Sequence, residues 1–353
     1  MCQKKLTWLV VSLFVILSLV FTLAGCGGNK KSTPTPADQM QPPAEQQTGP
    51  FESAQIMQIS ADYLTSERGK IPTVSAQEIY EKVITGGDSG YFLVSLQKPE
   101  DYAKGHVKGA INIPYSQVAK EENLQKLPKD KKIVLICYTG HTASYTAMFL
   151  NQLGYEAYAM KFGMMGWNSN SAGMGTVKAF TKSPNYLVDN TAAAAQAANE
   201  IPAVNTGKAS LKDILLAATD NYVSSERGKM PTVSAQEIYE KAVTGGDSGY
   251  FLVSLQKPED YAKGHVKGAV NIPYSQVAKE ENLQKLPKDK KIVLICYTGH
   301  TASYTSMFLN QLGYEAYAMK FGMMGWNSNS AGMGTVKAFT KSPEYPVIAG
   351  SNP

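Results

Sequence analysis

The sequence predicts an α/β fold built twice, each copy a parallel sheet with helices on both faces. Three observations lead there. Ser66–Val188 matches Ser225–Val347 at a constant offset of 159, and only seven of the 123 positions differ. Short apolar runs alternate with helix signals inside each copy. The runs themselves read as strands buried on both faces, as strands in a parallel sheet are. The period is far too long for a solenoid unit, so each copy is a complete domain. Most differing pairs, such as Val83 and Ala242 or Ile111 and Val270, exchange similar apolar side chains, which cores tolerate well.

In chain order, Ser75-Ala76-Gln77-Glu78 is a capping box that opens a helix through about Ile84. Tyr91–Leu96 is a short apolar run fit for a buried strand, and Ala110–Ile113 is a second, ended by Pro114. Lys132–Ile136, KIVLI, is the clearest strand, followed at once by Cys137. A helix is expected from about Ala143 to Leu153 with Gly154 as its stop, and Ala157–Met160 returns as a strand. The same elements recur 159 residues later.

The amino terminus reads differently. Lys4 and Lys5 precede an apolar run from Leu6 to Leu23 that closes in Leu23-Ala24-Gly25-Cys26, the pattern of a cleavable secretory signal. The alternative is an uncleaved membrane anchor. The quartet resembles the lipobox of bacterial lipoproteins, which implies that Cys26 carries lipid and that Cys2 is discarded with the signal. Residues 26–50, rich in Pro, Gln, Thr and Ser, have nothing to bury and read as a solvated tether, with no fold before about Phe51. The expected division is therefore a signal at 1–25, a lipidated tether at 26–50, domains at 51–189 and 208–353, and an Ala-rich, partly helical linker at 190–207. Either reading of the apolar run places the body outside the cytoplasm.

Composition narrows the function. With 43% hydrophobic and 18% charged residues over 353 positions, the chain is globular, and a net charge of +5 without a basic stripe argues against nucleic acid as a partner. Four cysteines, Cys2, Cys26, Cys137 and Cys296, are too few for a disulfide framework.

Cys137-Tyr138-Thr139-Gly140-His141-Thr142-Ala143-Ser144 links the KIVLI strand to the next helix, and Cys296-Tyr297-Thr298-Gly299-His300-Thr301-Ala302-Ser303 repeats it letter for letter. Such a strand-to-helix loop turns backbone N–H groups inward and adds the positive end of the helix. Gly140 permits the tight curl. A thiol held there is expected to have its pKa lowered toward neutrality and to act as a nucleophile. The alternatives are an inert buried cysteine and a disulfide between the copies, which needs the two Cα atoms within about 7 Å. The loop holds no Lys or Arg, so stabilisation falls to amides and the helix end. His141 and His300 are expected either to offer partial positive charge to an anion or to face solvent. His106 and His265 read as packing residues before a turn, Ser144 and Ser303 as partners of first-turn helix amides, and Tyr138 and Tyr297 as the rim of a pocket mouth. Met160, Met164 and Met165 beside Trp167 read as core.

Taken together, Gly105–Ala110, Asn112–Pro114, the loop from Cys137, Leu150–Tyr155 and Gly163–Trp167, with their counterparts at Gly264–Ala269, Asn271–Pro273, the loop from Cys296, Leu309–Tyr314 and Gly322–Trp326, resemble the rhodanese family of sulfurtransferases, once in each copy. Two positions depart from that pattern. Ser95-Leu96-Gln97 and Ser254-Leu255-Gln256 stand where the family has Asp-x-Arg, and Phe162 and Phe321 stand where it has a first closing Gly. Tandem members commonly keep the cysteine in one domain; here both copies have it.

The resemblance implies a double displacement. Cys137 or Cys296 takes sulfur from a donor such as thiosulfate as a persulfide, held by the amides of Tyr138–Ala143 or Tyr297–Ala302, and an acceptor thiol or cyanide removes it. No metal or other cofactor is implied. The implied partners are a small sulfur-containing anion or thiol, the membrane through Cys26, and a protein acceptor of unspecified identity. A tethered persulfide carrier without fast turnover is the alternative. A related phosphatase or arsenate reductase would place Arg six residues after the cysteine, where this chain has Ala143 and Ala302.

Overall fold

The computed structural model describes residues 49–194 and 196–350. The expected signal at 1–25 with Cys2, the expected lipidation site Cys26 and all but the last two residues of the expected tether lie outside the described residues. Among the described residues no helix is long and apolar enough to cross a membrane.

The apolar runs become strands because each can bury both of its faces. In the first copy, β1 (Thr73–Val74), β2 (Tyr91–Ser95), β3 (Ile111–Asn112), β4 (Lys132–Ile136) and β5 (Glu156–Met160) form one sheet in the order β1-β5-β4-β2-β3. In the second, β6 (Thr232–Val233), β7 (Tyr250–Ser254), β8 (Val270–Asn271), β9 (Lys291–Ile295) and β10 (Ala316–Met319) repeat it as β6-β10-β9-β7-β8. Every strand pairing is parallel, and the KIVLI strand is central in both sheets. Its side chains alternate between two cores: Ile133 and Leu135 point to one, Val134 and Ile136 to the other.

The principal helices of the first copy are α1 (Gly49–Thr65), α2 (His141–Gln152) and the short α3 (Gly163–Trp167). In the second copy α4 (Leu211–Val223), α5 (His300–Gln311) and α6 (Gly322–Trp326) correspond to them. The N-cap half of the capping box is realised, since Ser75 Oγ accepts the Glu78 N–H at 3.0 Å, while the Glu78 carboxylate turns to Lys82 and Tyr91. The helix it opens is α-helical only for Ala76–Ile79 and then widens into a π-helical Tyr80–Thr85, whose Thr85 hydroxyl donates to the carbonyls of Tyr80 and Glu81. The first described helix begins at Gly49, two residues before the expected boundary. The linker is a clearer correction: none of its described residues is helical. Its backbone is engaged by the second copy, with Asp189 and His265 exchanging two N–H···O bonds and Asn199 N–H donating to Gln284 O at 2.7 Å. These tertiary partners override the helix propensity of alanine.

The two copies interlock. Helices α2 and α5 pack side by side in the same direction: His141 and His300 stack at one end with ring centres 5.8 Å apart, and Gln152 and Gln311 exchange amide hydrogen bonds of 2.8 and 2.9 Å at the other. Each copy's leading helix also crosses over. Tyr63 of α1 stacks on Tyr304 of α5, and Tyr222 of α4 on Tyr145 of α2. The trailing segments are exchanged as well. Tyr186 and Leu187 bond to Trp326 of the second copy, while Tyr345 and Pro346 bond to Trp167 of the first. Tyr345 lies flat on Tyr80 at 4.1 Å, as Tyr186 does on Tyr239 at 4.0 Å. Further along, Ile348 bridges to His106 as Asp189 does to His265.

One region breaks the symmetry. Before α4, the linker seats between α1 and the second copy, with Pro202 O and Val204 N–H both bonded to Ser53 Oγ and Glu200 paired with Lys288. The corresponding groove between α4 and the first copy, lined by Leu124, Lys129, Leu153, Tyr155, Leu211 and Leu215, is a cavity of about 470 Å³.

Candidate active site

Both cysteines emerge at the carboxyl end of the central strand, where the sheet stops and the N-terminus of a long helix begins, the usual ligand position in open parallel sheets. Gly140 and Gly299 adopt left-handed backbone (φ 85° and 86°) and turn the chain into the helix. That curl aims the Gly140 N–H at Cys137 Sγ (3.1 Å) and the Gly299 N–H at Cys296 Sγ (3.1 Å), the latter sulfur also accepting from the Ala302 N–H at 3.3 Å. The loop is tied from beneath. The N–H groups of Met164 and Met165 donate to the carbonyls of Cys137 and Tyr138 at 2.7 and 2.8 Å. Gly163 allows this approach, because a Cβ there would sit 2.0 Å from Cys137 O. Both cysteine residues are 2% exposed and free. A disulfide between the copies is therefore not present.

The loop residues divide into three groups. Thr139, Gly140 and Ala143, like Thr298, Gly299 and Ala302, are buried and form the cradle. Thr142 and Thr301 sit half-buried in the first helical turn. Tyr138 and Tyr297 are half-buried at the rim, their hydroxyls donating to Asp101 and Asp260 at 2.5 Å and accepting the N–H of Lys98 and Lys257. Burial, reinforced by the carboxylate partner, pushes both phenols up. Asp101 and Asp260 thus brace the rim, a role the sequence reading missed.

His141 and His300 require correction, since they neither face solvent nor offer charge to an anion. Both are buried. His300 Nε2 accepts the backbone N–H of Phe162 at 3.0 Å, and His141 Nε2 accepts that of Phe321 at 3.1 Å, so each histidine is held by the opposite copy. With Nε2 accepting, the proton lies on Nδ1 and is shared with Thr298 or Thr139 (3.1 and 3.0 Å). Burial pushes His300 down to about 3 and His141 well below its ordinary value, with the lysine charge of the opposite copy adding to both. Ser144 and Ser303 are also corrected: each hydroxyl donates back to the Gly140 or Gly299 carbonyl at 2.8 Å. His106 and His265 stack on Tyr102 and Tyr261 (3.6 Å) and bond through Nδ1 to those tyrosines' carbonyls, a packing role. Met160, Met164 and Met165 are in the core with Trp167.

The departures from the family pattern also acquire a structural meaning. Ser95 and Gln97 are buried and bonded to each other, and Gln97 Nε2 donates to Gly105 O, so a neutral brace occupies the Asp-x-Arg position. Ser254 and Gln256 repeat it. Phe162 and Phe321 hold left-handed backbone at φ 63°, unusual for a bulky residue. Their rings meet the opposite histidine edge-on at 5.1 and 5.2 Å.

Sequence reasoning found no cation in the loop, and the structure supplies one from elsewhere. Lys161 and Lys320 directly follow β5 and β10. Each is half-buried, with Nζ 5.4 or 5.5 Å from the ring centre of the adjacent Phe162 or Phe321. Burial pushes both ammonium groups down to about 8, and the thiol that pulls each back upward belongs to the opposite copy: Cys296 for Lys161 and Cys137 for Lys320. Lys337 and Lys178 add repulsion at the same places. The signal available in the sequence was a lysine at the carboxyl end of the strand beside the cysteine strand.

A parallel sheet whose central strand ends in a cysteine, cradled by the amides of a strand-to-helix loop, defines a class of cysteine-loop α/β domains. The Rhodanese-like domain pattern matches residues 75–170 and 234–329, just over half of the chain, and the chain belongs to that family. Among its relatives is the candidate sulfurtransferase YtwF of Bacillus subtilis, 26% identical over 102 residues, covering 29% of this chain and 95% of the relative. The candidate sulfur carrier protein YrkF of the same organism is 24% identical over 95 residues, covering 27% of this chain and 49% of its own length. A thiosulfate sulfurtransferase of known structure from Pseudomonas aeruginosa aligns over 82% of this chain and 49% of its own, at 14% identity and a TM-score of 0.28. Family and relatives together support sulfur transfer as the general chemistry.

Proposed function

We propose that the chain is an extracytoplasmic sulfurtransferase that passes sulfane sulfur through a persulfide on Cys137 and on Cys296. The reading rests on one observation above all: in each copy a free cysteine sulfur accepts a loop N–H at the start of a long helix. The thiolate attacks the outer sulfur of thiosulfate, the S–S bond of the donor breaks, and sulfite leaves with the bonding electrons. The charge now resides on the terminal sulfur of the persulfide, within reach of the cradle amides and the helix end. An acceptor such as cyanide or a thiolate then attacks that sulfur, and the cysteine thiolate departs unchanged. Neither step needs a general acid, in keeping with two histidines held neutral.

Thiosulfate-dependent thiocyanate formation is expected to fall by about half in Cys137→Ser or in Cys296→Ser and to vanish in the double variant; full activity in the double variant would overturn the proposal. A carrier reading is favoured by the near-complete burial of both cysteine residues, which limits acceptor access. In that case mass spectrometry shows one added sulfur per cysteine while multiple turnover is negligible. Location belongs to the same proposal and is supported by Leu23-Ala24-Gly25-Cys26. Labelled palmitate is expected to enter the protein and to be lost in Cys26→Ala; persistence of the label there would exclude this anchor.

A further inference from the structure

We propose that the two sites are wired crosswise: Lys320 of the second copy receives the anionic sulfur donor at Cys137, and Lys161 of the first copy receives it at Cys296. The inference rests on the sulfur-transfer reading above and adds the residue that selects an anion. Its geometry begins at the left-handed Phe321, whose N–H is bonded to His141 and whose ring stands edge-on to His141 at 5.2 Å. His141 is the first residue of α2 and closes the Cys137 loop. Lys320 precedes Phe321 and holds its Nζ beside that ring, which carries the ammonium to the first copy's loop rather than to its own. Phe162, His300 and Lys161 form the mirrored set around Cys296.

The chemistry fits the gap left by the loop. A dianionic donor approaching a thiolate is repelled, and neither the loop nor the neutral Ser-Gln brace carries positive charge. A half-buried ammonium held against the ring that packs on this loop offsets that repulsion and attracts more strongly than one in bulk water. The exposed Lys178, whose charge acts on Lys320, enlarges the positive field at the Cys137 site, and Lys337 does so with Lys161 at Cys296. The inferred substrate class is a small sulfur oxyanion or polysulfide anion, rather than a neutral disulfide.

The crossed pairing gives a direct test in the full-length protein. In a Cys296→Ser background only Cys137 turns over, and there Lys320→Ala is expected to lower kcat/KM for thiosulfate about tenfold more than Lys161→Ala does. In a Cys137→Ser background the order reverses, and Lys320→Arg or Lys161→Arg restores most of the respective loss. Equal losses, or a larger loss from the lysine of the same copy, would overturn the crosswise assignment. A second readout does not depend on sulfur transfer. The ratio of alkylation by anionic iodoacetate to that by neutral iodoacetamide, read at each cysteine by mass spectrometry, should fall severalfold at Cys137 in Lys320→Ala and at Cys296 in Lys161→Ala. The crossed alkylation pattern without thiocyanate formation would refute the enzyme reading and keep the lysine assignment; thiocyanate formation without the crossed pattern would do the reverse.

Discussion

His141 and His300 show how little a residue type says about its work. Each is in a loop where a cation would be useful, yet each accepts a backbone N–H from the opposite copy and is held neutral. Neutrality has a cost in acid. Below the ordinary histidine pKa of about 6.5 the unfolded chain takes up protons that the folded His300, at about 3, refuses. Stability is therefore complete above pH 6.5 and declines as pH falls toward 3. For His300 alone the loss between pH 7 and pH 5 is about 2 kcal/mol, and His141 adds in the same direction. Urea unfolding at the two pH values measures it. His300→Gln, which retains an acceptor for the Phe162 N–H, is expected to show a smaller acid loss; an identical loss would clear the histidine of responsibility. The strain at Phe162 belongs to the same contact, since a left-handed bulky residue costs on the order of 1–2 kcal/mol and the N–H it redirects is the one His300 accepts.

Among the elements, the trailing segments are the least conventional. The stretch that ends the second copy completes the first: Tyr345 covers Tyr80, Pro346 O accepts the Trp167 indole N–H at 2.9 Å, and Ile348 pairs with His106. Trp167 ends α3, whose first turn anchors the carbonyls of Cys137 and Tyr138. Deleting residues 342–353 should therefore damage the copy farther away in sequence. The expected result is faster hydrogen exchange at Gly163–Trp167 and lower activity at Cys137 than at Cys296. Loosening confined to Gly322–Trp326 would contradict the exchange. The linker follows the same rule, as its non-helical course is held by partners such as Gln284 on the second copy.

Across the whole molecule, the sheets were legible and the interlock was not. Lys132–Ile136 announced itself because a strand buried on both faces must be apolar throughout, and the loop after it was readable because glycine, cysteine and a following helix leave few alternatives. Two-residue β1 is too short to leave a pattern. The exchange of tails was invisible for a different reason: with 116 of 123 positions identical, a segment finds nearly the same surface on either copy, and only chain geometry decides which one it meets. The lysines escaped because the search for a cation stopped at the loop, and Lys161 and Lys320 lie outside it. The neutral brace at Ser95 and Gln97 could be seen only as a departure, because its partner, Gly105 O, is fixed by the fold.

The linker between the two copies carries a consequence of its own. Each half supplies the other with a leading helix, a trailing segment and a histidine contact, so a single half is an unfinished object that would need a second molecule to complete it. Joining the halves on one chain replaces an encounter between molecules with an effective local concentration of order millimolar, independent of how much protein is present. The pairing of the halves consequently survives dilution.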